Sequence, residues 1–403
     1  MHGTTPSDVP VTQEGRRRTT GDRVRALVPG SALTAFALSR VLVAFAGLLS
    51  AHLPRASGFV PGTDLPLGTA AGSSLAQRWD GFWFTYIAQH GYPRGLFTPG
   101  LAGFHGRYSE WAFLPGYPLA VRAVHEVTFL SYDVSAIVLN LVLGCALAVV
   151  AWHLFAEVSD PATADRASWL FWMFPGSVVA SLAHSEPLFL LAAGGCLLAL
   201  MRGRWELAGA AALVGGATRV TGVALVVACA VAAWPAVRRR EWRALAAPAL
   251  APLGLLGFLG YGWHRTGDPL IWHQAEGLWQ QGFDFSTGLP TQIVHSFSGT
   301  AATADAETFV VLGLVFLAGV GVAVLRGQRL PAALTSYLIV TAFLSLADSR
   351  VGARPRFIWA MLPVFVIVAR AVPQRCRTAV LTAFAALLPL AAVTYLTTGH
   401  GAP

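Results

Sequence analysis

The chain contains no lysine: all 28 basic residues among its 403 are arginine. Charge of either sign is scarce, at 12% of residues, against about a quarter in a soluble domain. A soluble fold of this length would need far more polar surface to cover its core. Cysteine is scarce too. Cys145, Cys196, Cys229 and Cys376 form no CxxC or Cys/His spacing, which argues against a disulfide framework and against structural zinc. An internal repeat of the kind common in transporters is missing as well.

What is present is apolar. Hydrophobic residues make up 55% of the chain, and mean hydropathy is +0.58. These residues are meant for lipid. The net charge of +8 is scattered between apolar runs, so it reads as a topology bias rather than a nucleic-acid surface. The Ala-, Gly- and Arg-rich usage is that of a high-GC bacterial gene.

A spanning helix needs about 20 apolar residues. Such runs lie at roughly 31–53, 134–156, 167–183, 187–202, 207–236, 244–263, 307–326, 331–347, 356–372 and 378–397. The first follows a polar, basic arm with Arg16, Arg17, Arg18, Arg23 and Arg25. It is too long for a signal-peptide core and reads as a retained first helix. The stretch 112–130 contains Arg122, His125 and Glu126 and is expected to be an amphipathic helix lying in the interface. The run 207–236 is broken at Thr218-Arg219-Val220-Thr221-Gly222. An arginine in mid-membrane costs a few kcal/mol, so two helices meeting at a polar break are expected there.

With the N-terminus inside, the inner segments collect Arg166, Arg202, Arg204, Arg238–Arg240, Arg243, Arg326, Arg329, Arg370, Arg375 and Arg377. That is a positive-inside pattern. The expectation is an all-α polytopic membrane protein with about 11 transmembrane helices, within a range of 9–12. Residues 1–30 form a disordered cytoplasmic arm, and 31–397 form one transmembrane domain. Loops 54–133 and 264–306 lie outside, with the turns His184-Ser185-Glu186 and Asp348-Ser349-Arg350 on the same face.

The densest polar and aromatic constellation runs from Arg78 to Pro93. Trp79, Phe82, Trp83, Tyr86 and Ile87 recur at i, i+3, i+4, i+7 spacing, which predicts a one-sided helix in the membrane interface. Gly91 and Pro93 end it. Asp80 opens it. Such a residue is either a helix N-cap or a carboxylate placed to take a proton from a hydroxyl.

Trp79-Asp80-Gly81-Phe82-Trp83, with Ile87-Ala88 and Gly91-Tyr92-Pro93, closely resembles the first-loop motif of the PIG-V (GPI mannosyltransferase II) family. Phe113-Leu114-Pro115-Gly116-Tyr117-Pro118 and His184-Ser185-Glu186-Pro187-Leu188-Phe189 resemble two further segments of that family. So do Gly203-Arg204-Trp205 and Thr218-Arg219-Val220-Thr221-Gly222, and more loosely Arg354-Pro355-Arg356-Phe357. The motifs keep the family's order across residues 35–370. The resemblance implies a multi-spanning GT-C glycosyltransferase, here a bacterial homologue on the residue usage. Its donor would be polyprenyl-phosphate mannose, used on the extracytoplasmic face with Asp80 as base.

That chemistry needs a base for the acceptor hydroxyl and cations for the departing phosphate. Arg219, Arg350, Arg354 and Arg356 are the phosphate candidates, because arginine offers a bidentate fork. A headgroup contact is the alternative for the Arg350–Arg356 group. Trp79, Trp83, Glu110, Glu186, Trp272 and His273 are the acceptor- or sugar-binding candidates. Glu186 could instead cap the helix that starts at Pro187, Glu110 reads as a solvated residue, and Trp272 reads also as interfacial belt. His184 reads as a polar surface residue. No cofactor and no metal site is evident, although some enzymes of this architecture use a divalent ion. The partners are membrane lipid, the lipid-linked sugar and an unnamed extracytoplasmic acceptor. The rival function is a transporter or lipid flippase, with the break at Arg219 as its gate.

Overall fold

The computed structural model describes residues 29–53, 76, 80–98, 109–278, 301–347 and 354–397. Trp79, Arg350 and the basic arm before residue 29 lie outside the described residues. Every regular element among the described residues is a helix.

Among the described residues, four helical spans are long and apolar enough to cross a membrane: Gly30–Ser50, Tyr132–Val158, Val220–Arg238 and Gln374–Thr397. Two bent pairs raise the number to six if each is one span. They are Pro175–Ser181 with Glu186–Met201, bent by 110°, and Trp242–Leu250 with Leu253–Thr266, bent by 41°. Shorter apolar helices cover Phe309–Leu325 and Ala332–Leu346. Eleven crossings are therefore more than length and hydropathy alone identify here.

In chain order, α1 is Gly30–Ser50, α2 Asp80–His90, α3 Gly116–Thr128, α4 Tyr132–Val158 and α5 Pro161–Met173. Then come α6 Glu186–Met201, α7 Trp205–Thr218, α8 Val223–Arg238, α9 Ala246–Leu250, α10 Leu253–Thr266 and α11 Ile271–Leu278. The last are α12 Ala301–Leu325, α13 Ala332–Leu346, α14 Pro355–Trp359, α15 Val364–Ala371 and α16 Arg377–Thr397.

Three expected spans are not single helices, and one of them, 244–263, is divided into α9 and α10 at Ala251-Pro252. The run 167–183 holds only the end of α5, followed by the 3-10 segment Pro175–Ser181. Pro175 has no N–H to continue the helical ladder. The run 356–372 is divided into α14 and α15, with Pro363 in the N-cap position of α15. The expected break in 207–236 is present: α7 ends at Thr218, and Arg219 takes an extended conformation (φ −148°, ψ 146°).

The main core is aromatic. Trp172 meets Phe36 at 4.7 Å and Phe171 stacks on Trp359 at 4.9 Å. A second core joins Phe84 and Ala88 of α2 to Tyr117 and Val121 of α3 and Ala136 of α4. This packing corrects the expectation for α2. Trp83, Phe84, Ile87 and Ala88 are all buried, so the helix is enclosed by protein on more than the face read from spacing. The expected end is found: Gly91 has φ +76°, and its N–H donates to the Ile87 carbonyl at 2.8 Å. Arg122 of the amphipathic α3 donates its Nε–H to the Ala88 carbonyl at 2.6 Å, capping the same end.

The arginine-bearing turns expected inside gather at one end of the bundle. Arg202 pairs with Glu157 at 3.0 Å and Arg243 with Glu206 at 2.8 Å. Arg370 donates to the carbonyls of Arg329 and Val158.

Candidate active site

At the other end, residues from four distant segments form one ion-pair chain. Arg356 Nη1 lies 2.7 Å from Asp80 Oδ2 and 3.9 Å from Glu186 Oε1. Arg219 Nη1 lies 2.9 Å from Glu186 Oε1 and donates to the Ser185 hydroxyl at 3.1 Å. The side chains of Glu186, Arg356, Arg219 and Asp80 are 1%, 9%, 16% and 21% exposed. Two carboxylates and two guanidiniums balance in formal charge, which makes such burial tolerable. Phe357 lies under both cations, 4.6 Å from the Arg356 guanidinium and 5.8 Å from that of Arg219.

Local structure explains each placement. Asp80 is the first residue of α2, and Gly81 lets that end dock. A Cβ on Gly81 would sit 2.4 Å from the Ala76 carbonyl oxygen and 3.3 Å from Ala183 Cβ. Glu186 opens α6, with Pro187 in its first turn. The turn before it is held by Asn140 of α4, whose side-chain amide donates to the carbonyls of Leu182 and, at 3.0 Å, His184. Arg219 occupies the break after α7, where helical geometry ends. Arg356 stands in the one-turn α14.

Arg356 rests on the 3-10 segment Pro175–Ser181. A Cβ on Gly176 would come within 2.1 Å of the Pro355 carbonyl oxygen, so only glycine allows this approach. Arg40 of α1 grips the same segment, donating to the Ser177 hydroxyl at 2.9 Å and the Ser181 hydroxyl at 2.8 Å.

Burial alone would raise the Asp80 carboxyl above its ordinary range. Arg356 beside it, with His184 and Arg219 farther off, outweighs that and holds the group below the ordinary value. Asp80 is thus ionised at neutral pH. Several buried polar atoms of the cluster have no hydrogen-bond partner among the described residues: Glu186 Oε2, Arg356 Nε, His184 Nδ1 and Asn140 Oδ1. A polar ligand entering here would gain those bonds.

The structure thus brings Asp80, Glu186, Arg219 and Arg356 together. Arg354, half-buried, holds the N-cap position of α14. The other sequence candidates fall elsewhere. Trp83 is 1% exposed and stacks on Phe113 at 5.7 Å, so its ring belongs to the core. Glu110 is not solvated: it is 1% exposed and accepts a hydrogen bond from the Thr98 hydroxyl. Trp272 packs partly buried against the cluster of Tyr92, Trp111 and Phe258, while His273 is exposed. His184 is not a surface residue. It is fully buried, with Nε2 2.9 Å from the Tyr395 hydroxyl.

Asn140, Tyr395 and Arg40 were not foreseen. Each is a polar group inside an apolar run, and that is the signal that marks such residues. No group of three or more His, Cys, Asp or Glu side chains gathers at metal-binding spacing among the described residues.

No family model matches the chain, and no curated protein matches it. Solved structures similar to it include two of the Archaeoglobus fulgidus oligosaccharyltransferase. The form tethered through a disulfide to an acceptor peptide with the NVT sequon aligns at TM-score 0.41 and 12% identity. The apo form aligns at TM-score 0.43 and 12% identity. Each alignment covers 91% of this chain and 56% of the archaeal one, so the chain spans about half the length of that protein.

Proposed function

We propose that this chain is a GT-C-type membrane glycosyltransferase that moves a mannosyl unit from a polyprenyl-phosphate donor to an extracytoplasmic acceptor. One observation carries the reading. Asp80, Glu186, Arg219 and Arg356 come from four separate motifs that resemble the PIG-V family in order, and they meet in a single ion-pair chain.

In this reading the acceptor hydroxyl oxygen attacks the anomeric carbon from the face opposite the phosphate. The new C–O bond forms as the bond from that carbon to the phosphate oxygen breaks, inverting the centre. The hydroxyl proton passes to Asp80, and the electron pair leaves on polyprenyl phosphate. Arg219 and Arg356 stabilise that phosphate, with Arg354 and Arg350 as further contacts. The Arg219 and Arg356 guanidiniums are engaged with carboxylates beforehand, so donor binding exchanges one anion for another on the same cation. Arg356 has an additional unengaged Nε–H to offer. Transfer of Arg356 toward phosphate would weaken its hold on Asp80 and make that carboxylate more basic as the acceptor hydroxyl begins to lose its proton. Glu186 is the acceptor-side candidate within the cluster, with Glu110 and Trp272 as candidates outside it.

The test incubates membranes containing the protein with radiolabelled polyprenyl-phosphate mannose. Protein-dependent label in a new product, lost in Asp80→Asn at equal expression, is the expected result. Labelled product at the wild-type rate from that variant removes Asp80 as the base. Absence of any protein-dependent product removes the mannosyltransferase reading.

A further inference from the structure

We propose that the end of the molecule remote from Asp80 carries a separate binding site for the phosphate head group of an anionic membrane lipid. A cavity of about 210 Å³ lies between α5 and the pair α15–α16. Its walls include Arg166, Trp169 and Leu170 of α5, and Arg377, Leu381 and Thr382 of α16.

The two arginines reach it from different helices. Each has a buried Nε that finds no hydrogen-bond partner among the described residues. Arg166 spends one Nη on the Thr163 hydroxyl, and the Arg377 side chain makes no hydrogen bond among the described residues. Neither forms an ion pair among the described residues. This is the opposite of the Asp80 end, where both cations are paired with carboxylates.

Two guanidiniums at the wall of one cavity, neither held in an ion pair among the described residues, form a receptor for an anion, and arginine matches phosphate oxygens in particular. The rest of the lining identifies which anion. Leu170 and Leu381 give an apolar wall, and the Trp169 indole is fixed there by donating to the Ser31 hydroxyl at 3.2 Å. Thr378 and Thr382 are exposed at the rim, so the cavity opens to the surface. A soluble phosphate would gain from the cations only. A lipid would place its phosphate on the arginines and its first chain atoms on the apolar wall, and basic pockets between spanning helices take such head groups.

The site is distinct from the one at Asp80. Arg377 opens α16, whose far end carries Tyr395 against His184. Eighteen residues of helix separate the two, ~27 Å at 1.5 Å per residue. A bound lipid would brace α5 against α15 and α16.

The experiment measures thermal unfolding of the purified full chain in neutral detergent. Phosphatidylglycerol, phosphatidylcholine and inorganic phosphate are added in separate arms. Phosphatidylglycerol is expected to raise Tm by about 3 °C or more beyond phosphatidylcholine. Most of that difference disappears in Arg166→Gln/Arg377→Gln and persists in Arg240→Gln, an exposed arginine outside the cavity. Equal shifts from both lipids, or a shift retained in the double variant, overturn the proposal. Equal stabilisation by inorganic phosphate overturns the lipid as occupant. If the double variant does not purify, Arg377→Gln carries the same comparison, since its side chain has no hydrogen bond to lose among the described residues. No readout here depends on transferase activity.

Discussion

Asp80 and Arg356 settle each other's behaviour. The carboxylate is held ionised by a guanidinium 2.7 Å away, and the guanidinium is tolerated in its buried place because the carboxylate is there. If Asp80 is the base, Asp80→Asn lowers turnover by roughly 10²–10⁴-fold with insertion unchanged. The acid limb of kcat/KM against pH then falls below the ordinary aspartate value of about 3.9, because the lowered pKa keeps the base deprotonated. In Arg356→Lys a point charge replaces the fork. The acid limb is expected to move up, since burial then acts against a weaker counter-charge. An unmoved limb would show that another group titrates there. The same depression contributes stability that is complete above the unfolded pKa and is lost as pH falls through the folded one.

At the scale of elements, the site depends on two close approaches that only glycine permits. Gly81→Ala pushes a methyl toward the Ala76 carbonyl, 2.4 Å away, and is expected to cost about 1–3 kcal/mol. A drop in Tm together with turnover is the outcome to look for. An unchanged Tm would show that α2 shifts without strain. Arg40 acts on the segment Pro175–Ser181. Arg40→Leu removes both hydrogen bonds to that segment and leaves Ser177 and Ser181 without their charged partner. Hydrogen bonds to charged groups contribute about 1.5–3 kcal/mol each, so Tm is expected to fall. If Arg356 relies on that platform, the acid limb of the pH profile moves as well, and an unmoved limb would confine Arg40 to folding.

The whole molecule is polarised. One end gathers Arg202, Arg243, Arg329 and Arg370; the other holds the balanced cluster around Asp80. We propose that the first end faces the cytoplasm, as the arginine bias implies. In a cysteine-free background, a cysteine at exposed His273 is expected to react with a membrane-impermeant maleimide on intact cells. One at exposed Arg240 is expected to react only after permeabilisation. The reverse pattern would invert the orientation and place Asp80 inside.

Much of this was legible in the order of residues. Composition requires a helical chain in lipid, because 12% charge cannot cover a soluble core. The cost of a mid-membrane arginine predicts the break at Arg219, and Gly91 predicts the end of α2. Periodicity and local cost carry that information. The pairing of Asp80 with Arg356, 276 residues apart, is outside their reach, as is the burial of Glu110 and His184. Those depend on which helix faces meet, on Gly81 and Gly176 allowing backbones to touch, and on Asn140 binding the turn before Glu186. Sequence determines which groups are costly to bury; only packing among distant segments decides which of them meet and neutralise one another.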